Sequence, residues 1–221
     1  MTQTPFNGYS PSEEQLNVLS HGLGLLLSIP GLFLLLWKAE QTGDLWHLVS
    51  FGVFGLSMIL LYAASTSYHR AQEPRLRYRL KVFDHASIYI LIAGTYTPFT
   101  LVTLRGVWGW SIFGVVWTLA LIGVILKLFY TGRYKKLSTS MYVLMGWVMI
   151  IAIKPMMENL STSGLLWIVA GGLFYTIGAV FYSLNRIPFN HVIFHLFVLL
   201  GTFCHYMAVF FHVVPLGPTS L

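Results

Sequence analysis

Charge is what this sequence lacks. Only 9% of its 221 residues are Asp, Glu, Lys or Arg, against roughly 25% in an ordinary soluble domain, while 56% are hydrophobic. That balance excludes a water-exposed globular fold. Cysteine is nearly absent too: the single Cys204 rules out an intramolecular disulfide and lies in an apolar run, where a small packing residue is expected. Acidic residues number 7 against 13 basic ones, giving a net charge of +6. A nucleic-acid binder is one reading of that excess. The cations, however, fall in short clusters between long apolar stretches, the pattern of membrane proteins that follow the positive-inside bias, so no nucleic-acid partner is expected. A cleavable signal is not expected either, because residues 1–18 are polar, carry Glu13 and Glu14 and have no basic start. Internal repeats and low-complexity segments are also missing, which favours one helical bundle.

What stands in place of charge is apolar length. Crossing a hydrocarbon core of about 30 Å takes roughly 20 apolar residues of helix. Seven windows approach or exceed this: 19–37, 45–68, 86–104, 107–126, 137–153, 165–185 and 187–214, and none of them contains Asp, Glu, Lys or Arg. Over such lengths in lipid only a helix satisfies its own backbone. The expected fold is therefore all-α, a polytopic membrane bundle of seven transmembrane helices. It divides into a short N-terminal segment (1–18), the transmembrane domain (19–214) and a short tail (215–221). The third helix is expected to start near Val82. Gly52 and Gly55 suit close packing in the second window, and Pro98 should kink the third and shape a cavity. Trp37, Trp46, Trp108, Trp110 and Tyr130 sit near window ends, as an interfacial belt would.

Orientation follows from the loops. Ten of the 13 Lys and Arg fall on one side: Arg70, Arg75, Arg77, Arg79 and Lys81, then Lys127, Arg133, Lys135 and Lys136, then Arg186. Only Lys38, Arg105 and Lys154 fall on the other. The positive-inside rule then puts the N-terminus in the cytoplasm and the C-terminus outside, in a multi-pass protein of the cytoplasmic membrane. This is the reverse of G-protein-coupled receptors. The basic loop after the second window either enforces this topology, the simpler reading, or binds anionic headgroups.

Ionisable residues in spanning segments are costly and point to function. His191 and His195 are four apart and project from one face of the seventh helix; Ser65 and His69 have the same spacing at the end of the second. Asp84 lies at the start of the third. With the topology above, His69, Asp84, His191 and His195 share one depth and can converge. Three neutral imidazoles suit zinc, and three protein ligands leave a fourth position for water, the pattern of catalytic zinc. Blander roles remain open for each residue taken singly. A histidine at a helix end can cap carbonyls, Asp84 can be a helix N-cap, and Ser65 can pack or bond back to its own helix. His85 points about 100° away from Asp84, and His47, His205 and His212 lie toward the other face, so none of these four is expected to be a ligand.

The ordered set Glu14-x-x-Asn17-x-x-x-His21, Ser65-x-x-x-His69, Asp84 with the Ile88–Phe99 stretch, and Asn190-His191-Val192-Ile193-Phe194-His195 resembles the hemolysin III family. This is the bacterial branch of the progestin and adipoQ receptors, and the resemblance runs from about Glu14 to Val213. It implies seven helices with the N-terminus inside. It implies that His69, His191 and His195 hold zinc, that Asp84 hydrogen-bonds a water on it, and that Ser65 lies close by. Glu14, Asn17 and His21 match the family's first motif, where they either support the metal ligands through hydrogen bonds or cap and anchor the helix.

The alkaline ceramidases, wider relatives, use a similar constellation on a lipid amide. The leading expectation is therefore a zinc-dependent hydrolase of a lipid amide or ester, with Asp84 moving the proton and Ser65 helping the oxyanion. The expected partners are membrane lipids, either a fatty acid or an acyl amide or ester. A non-enzymatic lipid sensor in membrane homeostasis, with structural zinc, is the alternative. A pore-forming cytolysin ranks lower, because no window carries a charged stripe. A bis-histidine haem site would declare itself by a Soret band in the purified protein.

Overall fold

The computed structural model describes residues 9–184 and 186–213, and all regular structure among them is helical. Seven helical spans are long and apolar enough to cross a membrane. The first is α1 (Pro11–Glu40), followed by α2 (Leu45–Arg70) and α3 (Pro74–Pro98), which continues through a π-turn (Phe99–Thr103). Next is α4 (Val107–Tyr130). The fifth span is α5 (Lys135–Gly146), a 3₁₀ stretch (Val148–Ala152) and α6 (Ile153–Asn159); α7 (Thr162–Ser183) and α8 (Asn190–His212) complete the bundle.

Three boundaries differ by six residues or more from those read from hydropathy. Helix α1 starts eight residues before the first apolar window, with Ser10 as its cap, Pro11 in its first position and Glu13 and Glu14 in its first turn. These are strong local start signals, but they lie in polar sequence that an apolar window passes over. Helix α3 likewise begins at Pro74 rather than near Val82, because Glu73 caps it through the backbone N–H groups of Arg75 and Leu76. Asp84 therefore lies well inside the helix and is not its cap. The fifth span reaches Asn159 rather than Ile153 and breaks after Gly146. Tyr96 of α3 bridges that break: its hydroxyl donates to the Gly146 carbonyl at 2.7 Å and accepts from the Met149 N–H at 3.0 Å. The tail 215–221 lies outside the described residues.

The bundle is apolar outside, and inside it polar residues are buried beside an apolar core that includes Phe51, Phe54 and Val116. Leu19, Leu26, Phe33, Leu121 and Phe129 are exposed, while Asn17, Ser50, Ser65 and Thr100 are fully buried. In lipid there is little hydrophobic drive between helices, so close packing and hydrogen bonds hold them together. Helix α3 is the central one: 83% of its apolar window is buried, against 17–28% for α1, α4, the fifth span and α7. Pro98 removes a donor from its helix, and the π-turn follows directly. Of the two glycines suited to close packing, Gly55 is the one at a tight contact. A Cβ there would meet Leu32 of α1, including its Cβ at 3.1 Å and Cα at 3.3 Å, whereas at Gly52 the nearest atom is a Leu36 methyl at 3.6 Å. Gly55→Val should therefore force α1 from α2 and destabilise the purified protein by about 1–3 kcal/mol. Gly52→Ala should leave the thermal midpoint in detergent nearly unchanged.

Candidate metal centre

The last turn of α2 and the first two turns of α8 meet at the end of the bundle that carries most of the basic residues. Helix α8 is held there by Asn190, whose side-chain amide donates to the carbonyls of Phe181, Tyr182 and Leu184 at 3.2–3.4 Å, closing the end of α7. The 3.6-residue period then turns His191 and His195 to one face, opposite His69. The Nε2 atoms of His69 and His195 each lie 3.1 Å from Nε2 of His191. All three side chains are buried, and their donor atoms lie within 4.8 Å of one another.

The surrounding hydrogen bonds fix which nitrogen carries the proton. Nδ1–H of His69 donates to the Glu14 carboxylate at 2.6 Å, leaving a lone pair on Nε2. Ser20 spends its one hydroxyl hydrogen on the Asn17 carbonyl at 3.1 Å, so it can only accept from Nδ1–H of His195, also at 3.1 Å. His195 thus also turns an Nε2 lone pair inward. A single N–H on His191 Nε2 can serve one of these lone pairs but not both. A buried acceptor left unpaired costs about 1–3 kcal/mol. One cation satisfies all three, and the 3.1 Å separations are close to the about 3.3 Å between imidazoles that share a tetrahedral zinc with Zn–N of about 2.0–2.1 Å. The donor set therefore fits a metal ion.

The other residues singled out from the sequence surround this triad. Glu14 ties His69 to Arg77 through its two oxygens, so its carboxylate orients that imidazole. His21 stacks on His195 with ring centroids 3.5 Å apart and planes 7° from parallel. Neither its ring nitrogens nor the amide of Asn17 hydrogen-bond to a described residue. Asp84 is buried and lies among His69, Ser65, Lys81 and Lys127. The Ser65 hydroxyl, fully buried, does not bond back to its own helix; it lies beside Asp84. His85 turns its Nδ1 to the Lys81 carbonyl at 2.7 Å and stays out of the triad. His47, His205 and His212 bond instead to Asp44, the Gly201 carbonyl and Ser161.

Sequence reasoning does not single out Ser20, Arg77 or Tyr9 for the centre, and it names Asn190 only as part of the motif. Ser20 follows Asn17 by three residues on the same helical face, which is the signal that points to it; Arg77 reads from sequence only as charge. Tyr9 stacks on His191, with centroids 5.0 Å apart and planes 26° from parallel. Burial above all, then Tyr182, Tyr68 and the Glu13 and Glu14 carboxylates, raises its pKa and keeps the phenol neutral.

Behind the triad lies a cavity of about 110 Å³, largely apolar, bounded by α3, α5, α7 and α8. Asp84, His191 and His195 form part of its wall, with Ile88, Ile92 and Phe194. On α8 its lining runs from His191 to His205, about 21 Å of helix at 1.5 Å per residue. An apolar chamber with a few convergent polar groups is the usual form of a small-molecule site.

Comparison with known proteins agrees with this picture. The model of the haemolysin-III-related family matches residues 9–206. Hemolysin-3 of Bacillus cereus is 46% identical over 203 residues, covering 92% of this chain and 93% of the relative. The hemolysin-3 homolog of Bacillus subtilis (strain 168) is 44% identical over 206 residues, covering 93% and 97%. The human monocyte to macrophage differentiation factor is 28% identical over 216 residues, covering 94% and 88%.

The tautomers predict metal retention. The purified protein should carry about one divalent cation per chain by elemental analysis, and His69→Ala and His195→Ala should lose it. Glu14→Gln, which keeps the shape but removes the charge that orients His69, should weaken metal affinity about 10–100-fold.

Proposed function

Because this chain belongs to the haemolysin-III-related family, a group of multi-pass membrane proteins, we propose that its buried histidine triad holds zinc and that the protein hydrolyses an acyl amide or ester of a membrane lipid. The observation that carries this reading is the juxtaposition of three inward imidazole nitrogens, the buried Asp84 carboxylate and one end of an apolar cavity. A metal site at the mouth of a chamber shaped for hydrocarbon suits chemistry on a lipid more than it suits helix bracing alone. The charge asymmetry of the loops supports assigning this end of the bundle to the cytoplasmic side of the cytoplasmic membrane.

His69, His191 and His195 would bind the ion. Zinc so held supplies Lewis acidity and brings the pKa of water to about 7. The chain's own residues supply the rest. Asp84 takes one proton from water as its oxygen bonds to the acyl carbon, and returns that proton to the departing nitrogen or oxygen as the acyl bond breaks. The products are a fatty acid and the free amine or alcohol. The Ser65 hydroxyl lies beside Asp84, a position suited to the developing oxyanion. Glu14 and Ser20 hold the imidazoles in their ligand tautomers. The apolar walls seat the acyl chain and offer ions no hydrated path, which weighs against a pore.

The test is Asp84→Asn, close in size to the native residue. Lipid-hydrolysis assays on reconstituted protein should show kcat falling about 10²–10⁴-fold, with zinc content unchanged. Full activity in the variant would remove Asp84 from the mechanism. A wild-type protein that retains zinc and fatty acid but releases no product from amide or ester lipids would be a sensor rather than an enzyme.

A further inference from the structure

A second cavity, of about 190 Å³, opens at the basic end of the bundle. It meets the apolar one at His85, Thr139, Tyr142, Tyr182 and His191, which line both. Its own character is different. Lys81, Lys127 and Arg133 supply three cations, with the hydroxyls of Ser138 and Thr139 in the wall. Among the described residues no carboxylate lines it.

Lys127 is the unusual member. It is only 4% exposed. Among the described residues it has no ion-pair partner, and its ammonium lies 5.7 Å from the centre of the Tyr142 ring. The counter-charge that it feels is Asp84, beyond ion-pair distance. A buried cation without a partner is costly, and the sequence offers a simpler way to mark topology with Lys or Arg on the exposed loop, where Arg133 stands. The burial makes sense if the ammonium faces an anion that is not part of the chain. Three cations and neighbouring hydroxyls match a phosphate, which presents several acceptor oxygens and no donor at full charge.

The two cavities meet beside His191 of the triad, so a basic vestibule and an apolar chamber lie on either side of that junction. We propose that the lipid handled here carries a phosphate headgroup, seated by Lys127, Lys81 and Arg133, with its acyl chain in the apolar cavity. This rests on the reading of the triad as a lipid-processing centre and narrows it: the acyl bond lies between headgroup and chain, so the substrate class is a phosphate-bearing lipid with an acyl amide or ester bond. Arg133 is exposed and adds long-range attraction, whereas Lys127 is desolvated and gives most of the discrimination between charged and neutral heads.

The experiment is a binding measurement on the full-length protein in neutral detergent, with zinc content determined on the same samples. The probes are oleoyl glycerol phosphate, the matching monooleoyl glycerol without phosphate, and inorganic phosphate. The phosphate lipid should bind at least about tenfold more tightly than the neutral one, a difference of about 1.4 kcal/mol, and inorganic phosphate should bind far more weakly than either. Lys127→Gln should remove most of the preference while leaving the affinity for monooleoyl glycerol and the zinc content unchanged; Lys127→Arg should keep the preference. Equal binding of the two lipids overturns the proposal, as does an equal loss for both in Lys127→Gln. Inorganic phosphate binding as tightly as the phosphate lipid would mark a free-phosphate site and overturn it too. Affinity is read without turnover, so a catalytically silent protein can pass this test and an active hydrolase can fail it.

Discussion

The Glu14 carboxylate is the tie on which the rest of the centre depends. One oxygen takes the proton of His69 and the other pairs with Arg77, so a single side chain joins the start of α1, the end of α2 and the start of α3. Arg77 in turn donates to the Ala71 carbonyl at 2.9 Å and fixes the turn between α2 and α3. Because α3 is the central helix, this clamp also sets where Asp84 stands relative to the triad. An imidazole free to choose its tautomer would present N–H or lone pair by chance; anchored on a carboxylate, it presents a lone pair inward.

Enclosure by lipid makes that arrangement stricter than it would be in water. Around the triad, polar atoms of Asn17, His21 and Ser65 are buried with no hydrogen bond to a described residue, and water cannot reach them from the hydrocarbon side. Such groups are tolerated where a site gains from them. Their concentration beside the three histidines is what marks this end of the bundle as a candidate site and not only a packing seam.

The sequence revealed the spans more readily than the site. Seven charge-free windows announce seven helices because excluding ions from hydrocarbon is the strongest rule a membrane chain obeys. His191 and His195 were legible by their spacing, and His69 by topology, once the loop charges had placed it at the same depth. The starts of α1 and α3 were not, since Ser10, Pro11 and Glu73 act on the backbone while hydropathy weighs side chains. Nor was the break after Gly146, which exists because Tyr96, 50 residues away, satisfies it. Ser20, Asn190 and Lys127 each look like an ordinary polar residue in one dimension. Their roles arise from partners brought near only by folding, and the motif resemblance pointed to Glu14, Asn17 and His21 without showing what they touch.

The bond between Ser20 and His195 spans 175 positions of the chain. Helix α1 leaves the ribosome first among the described helices and α8 last, so the centre cannot close until α8 has been made. A product that stops between α2 and α8 has His69 and its carboxylate but not the other two imidazoles, and so cannot assemble the triad. Closure of the triad thus reports on the bundle: only a chain whose last described helix has docked against its first brings three imidazole nitrogens to one point.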